Sequence, residues 1–142
     1  MDDLNQVLNQ IAGVAQGLHA KLGPFHEEQV YYRMLLSRLR HTGFEVEDHP
    51  CIKLLDDDGE LVKVYLPDLR IRCKGSQALL ELKAKPRGFQ DADYRQAQAY
   101  LSVSPEDVLV QLFNFGSESL GQDRILQRSN HNHERMPDEQ PA

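Results

Sequence analysis

The 142-residue sequence has little cysteine, no long apolar run and no excess of positive charge. Its two cysteines, Cys51 and Cys73, are too few for a disulfide scaffold, and we expect both to be reduced, buried thiols. No window approaches the roughly eighteen uncharged apolar residues that a membrane-spanning helix needs. Because the first residues are acidic where a secretion signal would be basic, we expect a cytoplasmic protein with no membrane partner.

The net charge of −6 argues against a large, non-specific nucleic-acid surface, since affinity for a polyanion comes mainly from neutralising phosphates. The charge is nevertheless uneven, because four of residues 56–60 are acidic whereas residues 70–95 hold seven Arg and Lys against three acids. On charge alone, the basic stretch is either a solvated strand edge with a charged loop or a nucleic-acid contact surface. The candidate nucleic-acid-binding residues in it are Arg70, Lys85, Arg87 and Arg95.

The chain length is typical of one domain, which we place at residues 1–128, with a polar, disordered tail at 129–142. Apolar residues spaced at i, i+3 and i+4 predict a first helix from about Leu4 to Leu22. A second helix is predicted from Pro24 to about His41, with Gly43 just past its end. Glu28 lies in this helix, and its spacing predicts that it projects toward the packed side.

Beyond Gly43 the apolar period changes from helical to strand-like. Strands are predicted at 44–47, 52–55, 61–66, 69–73 and 78–83, with an acidic Gly turn at 57–59, and together they predict an antiparallel meander. A helix at about 91–101 follows, and then the apolar segment 108–113, typical of a strand covered on both faces. With a last short strand at 124–127, the pattern predicts a mixed α/β domain.

Three residues in the meander carry the chemistry. Asp68 opens one strand, and after a turn the next strand ends in Glu81-Leu82-Lys83, so the two carboxylates can converge. Mg²⁺ commonly takes one or two carboxylates plus waters and phosphate, so Asp68, Glu81 and the carbonyl of Leu82 are candidate ligands. Period two places Glu81 and Lys83 on one face, where an ammonium can hold an attacking water or stabilise charge on phosphate oxygens. The combination indicates phosphodiester hydrolysis.

A plainer interpretation makes Glu81 and Lys83 a solvent-facing pair on a strand and Pro67-Asp68 a turn. Strict alternation also places Asp68 on the face of Arg70, so a strand twist would be needed to bring it to Glu81. Both interpretations are compatible with the spacing alone.

Taken together, several segments resemble one known family. They are Glu28, Pro67-Asp68-Leu69, Glu81-Leu82-Lys83-Ala84, Gln96 with Tyr100-Leu101, and Leu112-Phe113-Asn114-Phe115-Gly116. The chain is similar, over about residues 11 to 127, to the PD-(D/E)XK nuclease superfamily and, within it, to small bacterial GxxExxxxE or GxxExxxxY proteins. The resemblance implies a restriction-endonuclease-like core, a central mixed sheet flanked by helices, and a Mg²⁺ or Mn²⁺ cofactor. It also implies that Glu28 supports the metal site and that Gln96 orients water or phosphate.

The sequence departs from this family pattern at two positions. Phe25 stands where the family usually has a glycine, and Arg33 stands where the distal acid of the signature falls. Neither is a core catalytic position. Arg33 can instead contact phosphate or pair with Glu27.

Two hypotheses of function follow. The first is a Mg²⁺- or Mn²⁺-dependent nuclease that uses Glu28, Asp68, Glu81, Lys83 and Gln96 on DNA or structured nucleic acid. The second is a non-catalytic module that binds nucleic acid or protein with the same fold, which the acidic net charge and small size favour. A homodimer or larger complex would enlarge the surface available to a duplex.

Overall fold

The structure, a computed structural model, describes residues 2–105 and 107–127. Over these ranges the chain forms three helices and seven strands. In chain order they are α1 (Asp2–Leu22), α2 (Glu28–His41), β1 (Val46–Asp48), β2 (Ile52–Leu55), β3 (Leu61–Tyr65), β4 (Leu69–Cys73), β5 (Ser76–Lys83), α3 (Asp91–Ser102), β6 (Val108–Asn114) and β7 (Gly121–Leu126). The tail predicted at 129–142 lies outside the described residues.

The central sheet of the described residues has five strands in the order β1-β4-β5-β6-β7. Strands β5 and β6 run parallel, whereas the other neighbours are antiparallel. Parallel neighbours need a crossover connection, which α3 supplies between β5 and β6. The predicted mixed sheet flanked by helices is therefore confirmed.

The predicted continuous meander is wrong in one part. Strands β2 and β3 do form the expected hairpin, but they pair only with each other in a separate two-stranded sheet among the described residues. The physical reason is that β4 already has a neighbour on each side, β1 and β5. The hairpin instead packs Ile52 and Tyr65 against the side of the sheet that α3 covers.

Alternation along β5 separates two apolar cores. Ala78, Leu80 and Leu82 face the larger core, which α1 and α2 cover, whereas Leu79 faces the smaller core under α3. Strand β6 is buried along its whole length, as expected of a strand covered on both faces. Because Glu81 and Lys83 share the parity of Leu79, they lie on the α3 side at the end of β5.

Two smaller expectations are corrected. Cys51 is exposed and Cys73 is half-buried, so the prediction of two buried thiols is wrong. The last strand, β7, begins at Gly121 rather than at residue 124. No helix in the described part of the chain is both long and apolar enough to cross a bilayer.

Candidate active site

Asp68 lies immediately before β4, next to the end of β5. Its backbone N–H donates to Glu81 Oε1 at 3.1 Å, and its own Oδ2 accepts the backbone N–H of Leu82 at 2.7 Å. The pairing between β4 and β5 ends at Leu69, so Asp68 lies outside the strand and the alternation of strand side chains does not fix its direction. No strand twist is therefore needed to turn Asp68 toward Glu81. These two bonds tie Asp68 to the Glu81-Leu82 segment at the end of β5, so the two predicted acids lie next to each other.

Glu81 is a buried carboxylate, with only 4% of the residue exposed. Its Oε1 also accepts a hydrogen bond from the Tyr100 hydroxyl at 2.8 Å. Burial, followed by the neighbouring charge of Asp68, raises the pKa of Glu81 to about 7, although Tyr100 and Lys83 oppose the shift. Burial likewise raises the pKa of Asp68, against the lowering effect of the Leu82 N–H and of Lys83. The solvent-facing interpretation of Glu81 is therefore wrong.

Lys83 extends into the same cluster. Its Nζ lies 3.5 Å from Glu81 Oε2 and donates to Gln96 Oε1 at 2.9 Å. Its side chain is only 14% exposed, so the ammonium is held in place by these two partners and by Asp93 at 3.8 Å. Gln96, on α3, thus belongs to the cluster and fixes the lysine from the helix side.

Asp93 is a site residue that the sequence analysis missed. It is almost fully buried on the first turn of α3, where its Oδ2 accepts the backbone N–H of Gln90 at 2.8 Å. Its Oδ1 accepts the Lys85 ammonium at 2.6 Å. Although burial alone raises the pKa of Asp93, the hydrogen bonds from Lys85 and Gln90 hold it below its ordinary value. The position of Asp93, between the Pro-Gly turn and the glutamine motif, was the only available signal.

The chain just after β5 is anchored to the end of β6. Asn114 is fully buried, and its side chain accepts the Lys85 N–H at 2.8 Å and donates to the Lys85 carbonyl at 2.9 Å. A Cβ on Gly116 would lie 2.3 Å from the Lys85 nitrogen, so only glycine allows this approach. The tight contact fixes the backbone that carries the two lysines of the site, Lys83 and Lys85.

Glu28 begins α2 and faces the site from the other side. Contrary to the prediction that it projects toward the packed side, the residue is exposed. It is still close enough to be coupled to the site: partial desolvation and then the charge of Asp68 raise the pKa of Glu28, whereas Lys83 and Lys85 lower it. The structure thus brings Glu28 to the rim of the cluster rather than into it.

The predicted nucleic-acid-binding residues are not gathered in one place. Lys85 lies in the cluster through Asp93. Arg70 is mostly buried farther along β4, with Nη1 3.7 Å from Glu47 Oε1. Arg87 is exposed in the turn after β5, and Arg95 is exposed on α3 beside Gln96.

The donor set at this site fits a hard divalent cation. Within residues 2–105 and 107–127 no three His, Cys, Asp or Glu side chains form a ready-made metal cage. The chain offers instead the carboxylates of Asp68 and Glu81 and a backbone carbonyl at Leu82, and Mg²⁺ commonly needs no more protein oxygens than these. Both carboxylates carry a raised pKa, and a cation between them would favour their ionised forms.

Comparison with known proteins bears on the family and the fold of this chain. A model of the PD-(D/E)XK nuclease superfamily matches residues 5–125. The solved structure described as "Crystal structure of SSO0001" superposes with a TM-score of 0.52 and 17% sequence identity, covering 78% of this chain. It covers 56% of that protein, so the chain spans a little over half of its length, and at this identity the likeness shows a shared fold alone. No curated protein matches the chain. Placement among the GxxExxxxE proteins stays a prediction.

Proposed function

This chain belongs to the PD-(D/E)XK nuclease superfamily, and we propose that it is a metal-dependent nuclease acting on DNA or structured nucleic acid. The observation that carries the proposal is the buried Glu81 carboxylate beside the half-buried Asp68, with the Lys83 ammonium 3.5 Å from Glu81. Gathering three ionisable groups in a partly buried cluster is costly for a fold, and a cluster of this kind in a nuclease superfamily is best explained by catalysis.

Each residue has a distinct role in the proposed mechanism. Asp68 and Glu81, with the Leu82 carbonyl, would hold Mg²⁺ or Mn²⁺, which supplies Lewis acidity toward the phosphodiester and lowers the pKa of water. Lys83 points its ammonium at the carboxylate pair, where it orients the attacking water and stabilises charge on the phosphate oxygens. Gln96 holds that ammonium in position from α3.

The surrounding residues would support the metal site or contact phosphates of the substrate. Glu28 at the rim supports the metal site through its charge, as its coupling to Asp68 suggests. Lys85, which Asp93 holds at the end of β5, would contact phosphate next to the scissile bond. Arg87 and Arg95 are exposed and would contact more distant phosphates, whereas Arg70 is a weaker candidate because it pairs with Glu47.

The decisive experiment is cleavage of labelled single- and double-stranded DNA and RNA in Mg²⁺ or Mn²⁺. Lys83→Ala and Glu81→Ala should each lower the cleavage rate at least about a hundredfold, because each removes a group that acts on developing charge. Lys21→Ala, an exposed lysine on α1, is the matched control and should cleave like the wild type. Circular dichroism of every variant separates loss of chemistry from loss of folding.

Metal binding is tested separately by calorimetric titration. Asp68→Asn should weaken Mg²⁺ binding about tenfold or more, since an amide replaces a charged oxygen ligand. Unchanged affinity in the variant would reject Asp68 as a ligand. If the wild type cleaves nothing in the panel yet binds nucleic acid or protein, the second hypothesis, a non-catalytic binding module, takes its place.

A further inference from the structure

A groove of about 610 Å³ lies between α2 and the chain segment at the end of β1. We call it the α2 groove. Residues 29, 33, 37 and 40 line it at spacings of three to four, so they form one stripe along the helix. The opposite wall carries Asp48 and His49. The stripe is polar and basic where a helix face against a neighbouring segment would ordinarily be apolar.

The charge in the α2 groove is unbalanced. Arg33 and Arg40 both line it, and no carboxylate among residues 2–105 and 107–127 comes within 4.0 Å of either guanidinium. The predicted alternative pairing of Arg33 with Glu27 is therefore not formed. The lone acid in the groove, Asp48, contacts His49 at 3.7 Å. Two arginines thus face a concave surface with their donors open to an anion.

Tyr32 supplies an independent sign of a ligand. It lines the α2 groove and is only 7% exposed, yet its hydroxyl has no hydrogen-bond partner among the described residues. Its ring stacks on His49 at a centroid distance of 5.0 Å. A buried hydroxyl without a partner is costly, and a phosphate oxygen admitted beside His49 would satisfy it.

The α2 groove is connected to the candidate active site at both walls. His49 donates its backbone N–H to the carbonyl of Asp68 at 2.9 Å. Glu28, whose charge is coupled to Asp68, begins the helix that carries Arg33 and Arg40. From Arg33 to Arg40 the helix rises roughly 10 Å, about three nucleotide steps along a B-form strand.

We propose that the α2 groove binds the phosphate backbone of the nucleic-acid strand that leads away from the scissile bond, with Arg33 and Arg40 contacting phosphates. The proposal rests on the nuclease function and names a substrate contact that the basic stretch at 70–95 does not include. It gives Arg33 a role at the position where the family resemblance leads one to expect an acid. Phosphate is favoured over an acidic peptide because His49 of the groove is hydrogen-bonded to Asp68 of the proposed phosphodiesterase site.

The test uses the full chain and fluorescein-labelled 20-nucleotide DNA and RNA, with binding measured in EDTA so that no cleavage intervenes. Arg33→Ala/Arg40→Ala should weaken binding about tenfold and reduce the slope of log affinity against log salt by about 1.5 to 2, one phosphate contact per arginine. Lys21→Ala/Arg38→Ala removes the same charge from exposed helical positions outside the α2 groove and should bind like the wild type. A polyglutamate peptide of the same length is the comparison ligand.

Each outcome decides the proposal. Equal binding by the groove variant and its control, or wild-type binding to no oligonucleotide, would overturn it, as would groove-dependent binding to polyglutamate but not to nucleic acid. The nuclease function is judged separately by cleavage in Mg²⁺ or Mn²⁺. Groove-dependent binding with no cleavage would uphold the α2 groove and reject the nuclease. Cleavage with an unchanged KM in the groove variant would uphold the nuclease and reject the α2 groove.

Discussion

Glu81 should make the stability of the metal-free protein depend on pH. Its pKa is raised from 4.5 to about 7 in the folded chain, first by burial and then by Asp68. Between these values Glu81 binds more protons in the folded state than in the unfolded state, so its contribution to stability is complete below pH 4.5 and is lost as the pH rises through 7. The shift, 7 − 4.5 = 2.5 pKa units, corresponds to roughly 3 kcal/mol at about 1.4 kcal/mol per unit.

Urea unfolding in EDTA at pH 5 and pH 8 measures this contribution. Glu81→Gln keeps the shape but cannot ionise, so between the two pH values it should lose on the order of 2 to 3 kcal/mol less stability than the wild type. The quantity compared is the change with pH, because the amide also replaces the charged contact of Glu81 with Lys83. Glu45→Gln, at an exposed acid, is the control and should follow the wild type.

Parallel pH profiles for the wild type and Glu81→Gln would refute the argument that burial disfavours the Glu81 carboxylate. The free energy of unfolding in Mg²⁺ at pH 8 provides a second test. If Asp68 and Glu81 hold the cation, Mg²⁺ should recover stability in the wild type and much less in Glu81→Gln, because binding to the folded state alone stabilises it.

Three further substitutions test the residues that support the candidate site, and a fourth, on α1, is a control. Tyr100→Phe removes the hydroxyl that donates to Glu81 at 2.8 Å, so it should raise the pKa of that carboxyl further and cost about 1.5 to 3 kcal/mol above pH 7, measured by urea unfolding. Asp93→Asn weakens the charged contacts to the two lysines of the site, and cleavage kinetics should show a lower kcat with a modest loss of stability; an unchanged kcat would contradict the positioning role. Gly116→Ala should lower the unfolding free energy by about 1 to 3 kcal/mol because its Cβ would meet backbone, whereas Gly13→Ala, with open space on α1, should raise it by about 0.5 to 1 kcal/mol.

Local patterns predicted most of the secondary structure of this chain. The apolar stripes of α1 and α2 and the buried strand β6 appear where the periodicity placed them, since the apolar period is carried by residues a few positions apart in the chain. The pairing of the strands was harder to predict from the sequence. The β2–β3 hairpin was recognised from its acidic Gly turn, but its separation from the main sheet depends on which strands occupy the edges of β4.

The candidate site, too, was predicted only in part from the sequence. Asp68, Glu81 and Lys83 were identified from the sequence because a carboxylate pair and a lysine at strand spacing have a chemical meaning of their own. The exposed position of Glu28 was not predicted from the sequence, because the orientation of a residue in the first helical turn depends on how the helix packs.

By itself, the sequence determined the element order, the candidate triplet Glu81-Leu82-Lys83 and the family to which the chain belongs. The tertiary structure alone decided that Asp93 joins Lys83 and Lys85, that Asn114 clamps the chain after β5, and that the α2 groove opens beside Asp68. Each of these depends on contacts between residues distant in sequence. Such contacts are set by how the helices and the sheet pack, and no short-range pattern records them.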